Sequence, residues 1–316
     1  MTSTRNTVSI VVCTKDRYQD LKECLRSIVC SHSTYPFLEL VVVDSTGDQA
    51  LRKKIERECA RVGAKYAYEH RSGVSVARNT GVQNCAGDIV VFVDDDFIVE
   101  ENFLVQLVDG YKGRDVECCT GRMVSYRNDD LGTLFEKYLS FDKGQVELCV
   151  SGLDMNLRTF VRAALSKLRK NGRSIPPYSV GFGFGSYRRE VFHLVGGFDS
   201  NLGRGTPKMG SEELDMYYRI LRKGYKIVYK PSAKIWHNHK HSTTKEALVE
   251  YAYMSGISVA ALARKHFATD PYILALFIGN VFLTLSWVGK ALTKSDSTLR
   301  ELSFAQLRGL LRGIAL

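Results

Sequence analysis

The chain has 316 residues, 45% of them hydrophobic and 25% charged, with a formal net charge of +10. That length favours one large α/β domain with an appendage over two equal domains, and the composition excludes a disordered protein. Residues 1–215 hold 29 basic and 29 acidic residues while residues 216–316 hold 15 and 5, so the whole net charge lies in the last third. Such a tail suits an anionic partner, either membrane or nucleic acid, with a solvated helix surface as the alternative.

The eight cysteines all precede residue 151 and show neither a CxxC pair nor a zinc spacing. They read as reduced, partly buried cysteines of a cytosolic protein. The opening MTSTRNTVSIVV lacks the layout of a signal peptide.

In chain order, residues 8–13 form a short β-branched run. Residues 20–30 have helical spacing, with Leu21, Cys24, Leu25 and Ile28 on one stripe. A second strand is expected at ELVVVD (39–44), ended by the turn signal STGD. A charged helix follows over 50–62, a short strand over 64–69 and a helix over 74–85. Residues 89–94 are an almost wholly apolar fourth strand. Apolar strands alternating with helices mark a mostly parallel sheet covered on both faces. Ligands of such sheets bind beyond the carboxyl ends of the strands. Thr14, Asp16, Arg17, Asp44 and Asp94 to Asp96 occupy those ends.

Residues 123–180 lack this alternation. They include a helical stretch, 154–170, read as an amphipathic helix packed on the core or docked at a membrane surface. SVGFGFGSYRR (179–189) has neither GxGxxG nor P-loop spacing. Its Gly181, Gly183 and Gly185 serve either a turn or a close backbone approach. A helix is expected over 211–223, stopped at Gly224. Short strands follow at 226–229 and 234–237, and helices from 243 onward. Residues 272–289 are apolar but contain Asn280, Thr284 and Ser286, and only reach the threshold length for a spanning helix.

Three consecutive carboxylates, Asp94, Asp95 and Asp96, end the fourth strand. Their mutual repulsion and desolvation are costly, and a hard cation relieves both. A metal held there could grip a diphosphate; a solvated acidic turn is the alternative. Upstream lie VSIVVCTKDR (8–17), VVVDSTGD (41–48) and GVSVARNTGVQNCAGD (73–88). Downstream, GGFDSNLGRGTPKMGSEELDMYYRILRKGY (196–225) opens a helix with Glu212, Glu213 and Asp215, and PSAKIWHNHKHS (231–242) alternates His237, His239 and His241.

This ordered set, RNxGxxxxxGDxxxFxDDD before GGFD, GxEExD, RxxxxGY and a late His, resembles the family 2 inverting glycosyltransferases with a GT-A fold. The likeness covers residues 8–241. It implies a catalytic domain over 1–242, divided into a nucleotide-sugar half (1–122) and an acceptor half (123–242), plus a helical, basic appendage over 243–316. It implies that Thr14, Arg17 and Asp44 line the base and ribose pocket and that Arg78 lies near the nucleotide or its phosphates. Asp94 and Asp95 belong to the donor site; Asp94 and Asp96 bind Mn2+ or Mg2+, with His237 beside them. Glu213 is the general base, and Glu212 places the acceptor or the base. The family usually shows Glu-Asp where this chain has Glu212-Glu213, a base one methylene longer. The helix dipole would favour the Glu213 anion, with Glu212 and partial burial offsetting it.

The activity so implied is metal-dependent, inverting transfer from a nucleotide diphosphate sugar to a saccharide or lipid-linked saccharide. Its implied setting is bacterial surface polysaccharide or glycolipid assembly, in the cytoplasm at the inner face of the plasma membrane. Membrane contact would be peripheral and nucleic acid is not a partner, since no helix-turn-helix, zinc-finger or RNP signature is present. The alternative is a non-catalytic nucleotide-sugar-binding or scaffold protein of the same fold.

Overall fold

The apolar runs form one half of the sheet. In the computed structural model, which describes residues 6–32, 34–126, 144–151, 184–238, 244–268, 270–293 and 297–316, they are β1 (Val8–Thr14), β2 (Glu39–Asp44), β3 (Lys65–Tyr68) and β4 (Ile89–Asp94). They run parallel to one another in the order β3-β2-β1-β4. The connections are α1 (Tyr18–Ser31), α2 (Gln49–Val62) and α3 (Val74–Gln83). The expected boundaries hold to within two residues. The Asp48 carboxylate caps α2, accepting from the Leu51 backbone N–H at 2.6 Å.

After β4 come β5 (Phe97–Val99), α4 (Phe103–Asp109), β6 (Cys118–Ser125), β7 (Leu148–Ser151), β8 (Phe184–Arg188), α5 (Val191–Leu194), α6 (Glu212–Arg222), β9 (Lys226–His237), α7 (Lys245–His266), α8 (Pro271–Thr293) and α9 (Ser297–Ala315). Among the described residues, nine strands make one sheet in the order β3-β2-β1-β4-β8-β6-β9-β5, with β7 paired to β9. The parallel half expected from the sequence is β1 to β4. Beyond it the sheet is mixed, because β8 joins β4 and β6 antiparallel while β6 and β9 run parallel.

The two strands expected at 226–229 and 234–237 are one strand, β9. Its pairing with β6 jumps from Gly121↔Lys230 to Arg122↔Lys234, so residues 231–233 bulge out. Pro231, lacking a backbone N–H, opens that bulge without leaving the strand.

Alternation along β1 divides the interior. Val8, Ile10 and Val12 face a layer built by α1, α2 and α4, while Val11 faces α3 and α6. Helices thus cover both faces of the sheet. The C-terminal helices belong to the same interior: Leu248 and Ala252 of α7 and Leu302 and Ala305 of α9 share the first core, and Ala263 and Ile273 share the second. The two long helices α7 and α9 meet at backbone contact, since any side chain at Gly309 would collide with the Tyr253 carbonyl. All eight cysteines are free.

Asp215 fastens α6 to α7. Its side chain is wholly buried, with Lys265 Nζ at 2.8 Å and His266 Nε2 at 2.7 Å from Oδ1 and Arg219 Nε at 2.8 Å from Oδ2. Burial pushes its carboxyl upward, but His266, Arg219 and Lys265 outweigh this and hold it at about 2, from 3.8. A depressed carboxyl pKa gives stability that is complete above the unfolded value and lost as pH falls through the folded one. That contribution, about 2 kcal/mol, is therefore present above pH ~4 and lost between ~4 and ~2. Asp215→Asn takes the buried counter-charge away from the partly exposed Arg219 and Lys265 and is expected to cost roughly 2 kcal/mol at neutral pH. In urea unfolding, the gap between variant and wild type should narrow as pH falls through that window. A gap that stays constant down to pH 2 would remove the linkage.

Candidate active site

Strand pairing gathers the polar ends. Cys13 of β1 lies opposite Asp94 of β4, and Thr14 opposite Asp44 of β2. The Thr14 hydroxyl donates to Asp95 Oδ2 at 2.7 Å. Arg17, just before α1, reaches Asp95 Oδ1 at 3.2 Å and Asp96 Oδ2 at 3.1 Å with one nitrogen. Burial and the adjacent Asp96 charge push the Asp95 carboxyl up to about 7, against the pull of Arg17 and Thr14. Burial pushes Asp96 the same way, yet His237 and Arg17 hold its carboxyl well below the ordinary range. His237 arrives there because it pairs with Phe97 across β9 and β5. Its Nε2 stands 3.6 Å from Asp96 Oδ2, a charge contact rather than a tight hydrogen bond.

Asp44 is fully buried. Its carboxylate accepts from the Tyr66 hydroxyl at 2.9 Å and the Thr46 backbone N–H at 2.8 Å. Thr46 in turn accepts the backbone N–H of Asp16 at 2.9 Å, and Asp16 sits at φ 60°. Asp44 thereby shapes the wall between the ends of β1 and β2.

Arg78 of α3 is 3% exposed and carries three carboxylates at once. One nitrogen donates to Glu212 at 2.8 Å; the other donates to Glu213 at 2.8 Å and to Asp94 at 3.1 Å. Arg78, expected near the nucleotide or its phosphates, joins the end of β4 to the start of α6. Asn79 completes the union of two distant motifs: it donates to the Phe198 carbonyl at 2.8 Å and accepts the Phe198 N–H at 2.9 Å.

Glu212 and Glu213 open α6 as expected. The loop leading to them is strained: Met209 has φ 53° and Ser211 φ 65°, left-handed values that non-glycine residues rarely hold. Gly203 (φ 100°) brings the loop against Val74 and Glu212, where a side chain would intrude. The Arg204 carbonyl accepts the Val74 N–H at 3.0 Å, tying the loop to the start of α3.

Two residues of this site escaped the sequence. Arg204 is exposed at the mouth and its charge acts on both Asp94 and Asp96; its signal was only its place in a glycine-rich loop before Glu212. Tyr251 comes from α7. Burial pushes its hydroxyl up to about 12, with Arg204 opposing and Glu213 and Glu212 adding to the rise. Residues 154–170, Gly181, Gly183, His239 and His241 lie outside the described residues.

The donor chemistry fits a hard divalent cation. Asp94 keeps 34% of its side chain open, and among the described residues the five carboxylates of Asp94, Asp95, Asp96, Glu212 and Glu213 gather around the arginines Arg17 and Arg78. Among the described residues no three His, Cys, Asp or Glu side chains converge on one point. A cation here would take Asp94 and Asp96 oxygens and draw its remaining ligands from water and phosphate, the habit of Mg2+ in phosphate sites.

The family model described as glycosyl transferase family 2 matches residues 9–193. A glucosyl-dolichyl phosphate glucuronosyltransferase of Haloferax volcanii is 26% identical over 264 residues, covering 79% of this chain and 75% of its own length. A pre-mycofactocin glycosyltransferase of Mycobacterium tuberculosis is 25% identical over 245 residues, 77% of this chain but 45% of its own. Among solved structures, the mannosyltransferase PcManGT from Pyrobaculum calidifontis, in complex with GDP-Man and Mn2+, superposes with a TM-score of 0.63 at 15% identity, covering 99% of this chain and 88% of its own. GalNAc-T7 with UDP, GalNAc and Mn2+ gives 0.53 at 17% identity, over 85% and 52%.

Proposed function

Because the chain belongs to glycosyl transferase family 2 and is a glycosyltransferase of GT-A fold, we propose that it moves a sugar from a nucleotide diphosphate sugar to an acceptor hydroxyl, inverting the anomeric carbon in one displacement. The observation that carries this is the Arg78 bridge, which holds Asp94 and Glu213 within 3.1 Å and 2.8 Å of one guanidinium nitrogen. Donor end and acceptor end are thus fixed to each other.

Glu213 takes the proton of the acceptor hydroxyl, whose oxygen forms the new bond to the anomeric carbon. The old carbon–oxygen bond breaks and its electron pair leaves with the diphosphate. Mn2+ or Mg2+ at Asp94 and Asp96, with His237 alongside, would supply positive charge to that leaving group. Arg204, at the mouth, adds a cationic side chain to it. Glu212 and Arg78 set the position of Glu213. Thr14, Arg17 and Asp44 shape the base and ribose pocket, and Asp95 orients Thr14 and Arg17.

The catalytic domain is taken as residues 1–242, with its donor half over 1–122, its acceptor half over 123–242 and an appendage from 243. The appendage supplies Tyr251 to the site. The acceptor is a saccharide or lipid-linked saccharide in surface polysaccharide or glycolipid assembly, met at the inner face of the plasma membrane. A relative whose name specifies a dolichyl phosphate substrate supports the lipid-linked option. Screening nucleotide sugars for release of free nucleoside diphosphate, with and without Mn2+, tests the reading. One donor should be turned over only with metal, and faster with an acceptor present. Silence with every donor in the presence of metal would leave the non-catalytic alternative.

A further inference from the structure

The C-terminal helices present apolar side chains to solvent in an ordered way. On α8, Leu274, Ile278, Phe282, Leu285 and Leu292 are 42%, 45%, 69%, 46% and 59% exposed. Their spacings of three, four and seven put them on one face. On α9, Leu302, Ala305 and Leu310 are buried, Leu310 at 1%. The outer face interleaves Phe304 and Leu311, 41% and 63% exposed, with Arg300, Arg308 and Arg312. Lys290 adds a further exposed cation on α8. The one acidic side chain described on these two helices, Glu301, is paired with Lys245 at 2.7 Å. Among the described residues no helix is long and apolar enough to cross a membrane.

Charge selects the occupant. A second copy of the chain seated on α9 would bury Arg308 and Arg312 against arginines of its own kind, a costly arrangement. A nucleic acid would leave the apolar stripe of α8 without use. An anionic bilayer accepts both features: apolar side chains enter the acyl boundary and guanidinium groups meet lipid phosphates. The surface also adjoins the site. Leu316, just beyond α9, lines a cavity of 350 Å³ with Asn201, Thr206 and Lys208 of the loop that carries Arg204. Gly210 of that loop lies against Ser258 of α7.

We propose that the exposed faces of α8 and α9 are a docking surface for an anionic bilayer, on which the protein lies without spanning it, so that a lipid-linked acceptor meets the loop at 200–210 directly. In its second part the proposal rests on the transferase reading given above.

The test uses the full chain and vesicles of equal parts phosphatidylglycerol and phosphatidylcholine. Wild type should float with them at low salt and less at high salt, and not with phosphatidylcholine alone. Phe282→Asp with Leu285→Asp, and separately Arg308→Gln with Arg312→Gln, should each lower the partition coefficient roughly tenfold or more. All four positions are exposed, so circular dichroism and the melting profile should stay as in wild type. Metal-dependent nucleoside diphosphate release in solution should be unchanged in both variants, while transfer to a vesicle-borne acceptor falls. No flotation of wild type at either salt overturns the proposal. So does a wild-type dimer in light scattering that the Asp variant dissociates, because the stripe is then a subunit interface. Flotation with no nucleoside diphosphate release would instead defeat the transferase reading and leave the docking surface standing.

Discussion

Glu213→Gln is expected to lower turnover by roughly 10²-fold or more while leaving the affinity for donor nucleotide unchanged. The amide keeps the shape of the carboxylate and can still accept from Arg78, so α3 and the start of α6 should remain joined. What it lacks is the capacity to take a proton from the acceptor hydroxyl. Single-turnover measurement with saturating donor separates the two properties, because a loss confined to the chemical step leaves the donor dissociation constant alone. Glu212→Gln is the control. Glu212 is bonded to Arg78 by the other guanidinium nitrogen at 2.8 Å, and its loss should have the smaller effect. Should Glu212→Gln prove inactive and Glu213→Gln near normal, the proton would be going to Glu212.

Asp96→Asn should abolish the metal-dependent part of nucleotide binding. The side chain lies between Arg17 at 3.1 Å and His237 at 3.6 Å. The amide can keep the hydrogen bond from Arg17, so folding should be little affected. It carries no charge, however, and a neutral oxygen is a poor substitute in a shell of hard ligands. Calorimetry with a nucleoside diphosphate, with and without Mn2+, reads this directly. Wild type should bind much more tightly with metal, and the variant equally with and without. Metal-dependent affinity that survives the substitution would move the ligand role away from Asp96. The same experiment on Asp95→Asn should show a milder loss, since Asp95 is buried on Thr14 and Arg17.

The parallel half of the sheet was legible because its strands are continuous β-branched runs, and nothing but burial on both faces explains such runs. The start of α6 was legible for a local reason too, an acidic first turn followed by a glycine stop. Where the sequence fell short, the missing information was distance in space. Pro231 looked like the end of a strand, and only the partner β6 shows that pairing resumes past a bulge. The three carboxylates on Arg78 come from β4 and α6, the latter more than a hundred residues on. Tyr251 lies in a helix whose pattern is that of ordinary packing, and nothing in its own neighbourhood marks it as part of a site. The strand-end carboxylates needed no partner to be noticed; the residues that orient them did.

The sharing of the hydrophobic cores by the C-terminal helices, α7 and α9 in the first and α7 and α8 in the second, bears on how far this molecule is modular. An appendage is ordinarily something that can be trimmed, or exchanged with that of a relative to redirect an enzyme to another acceptor. Here Leu248, Ala252, Leu302 and Ala305 fill the same interior as α1 and α4, and Asp215 answers to cations on α7. Cutting the chain after residue 242 would open that interior to water and leave a buried carboxylate short of its counter-charges. Grafting would succeed only if the seam with the sheet travelled with the helices, which leaves the outer faces of these helices and the loops as the parts free to be exchanged.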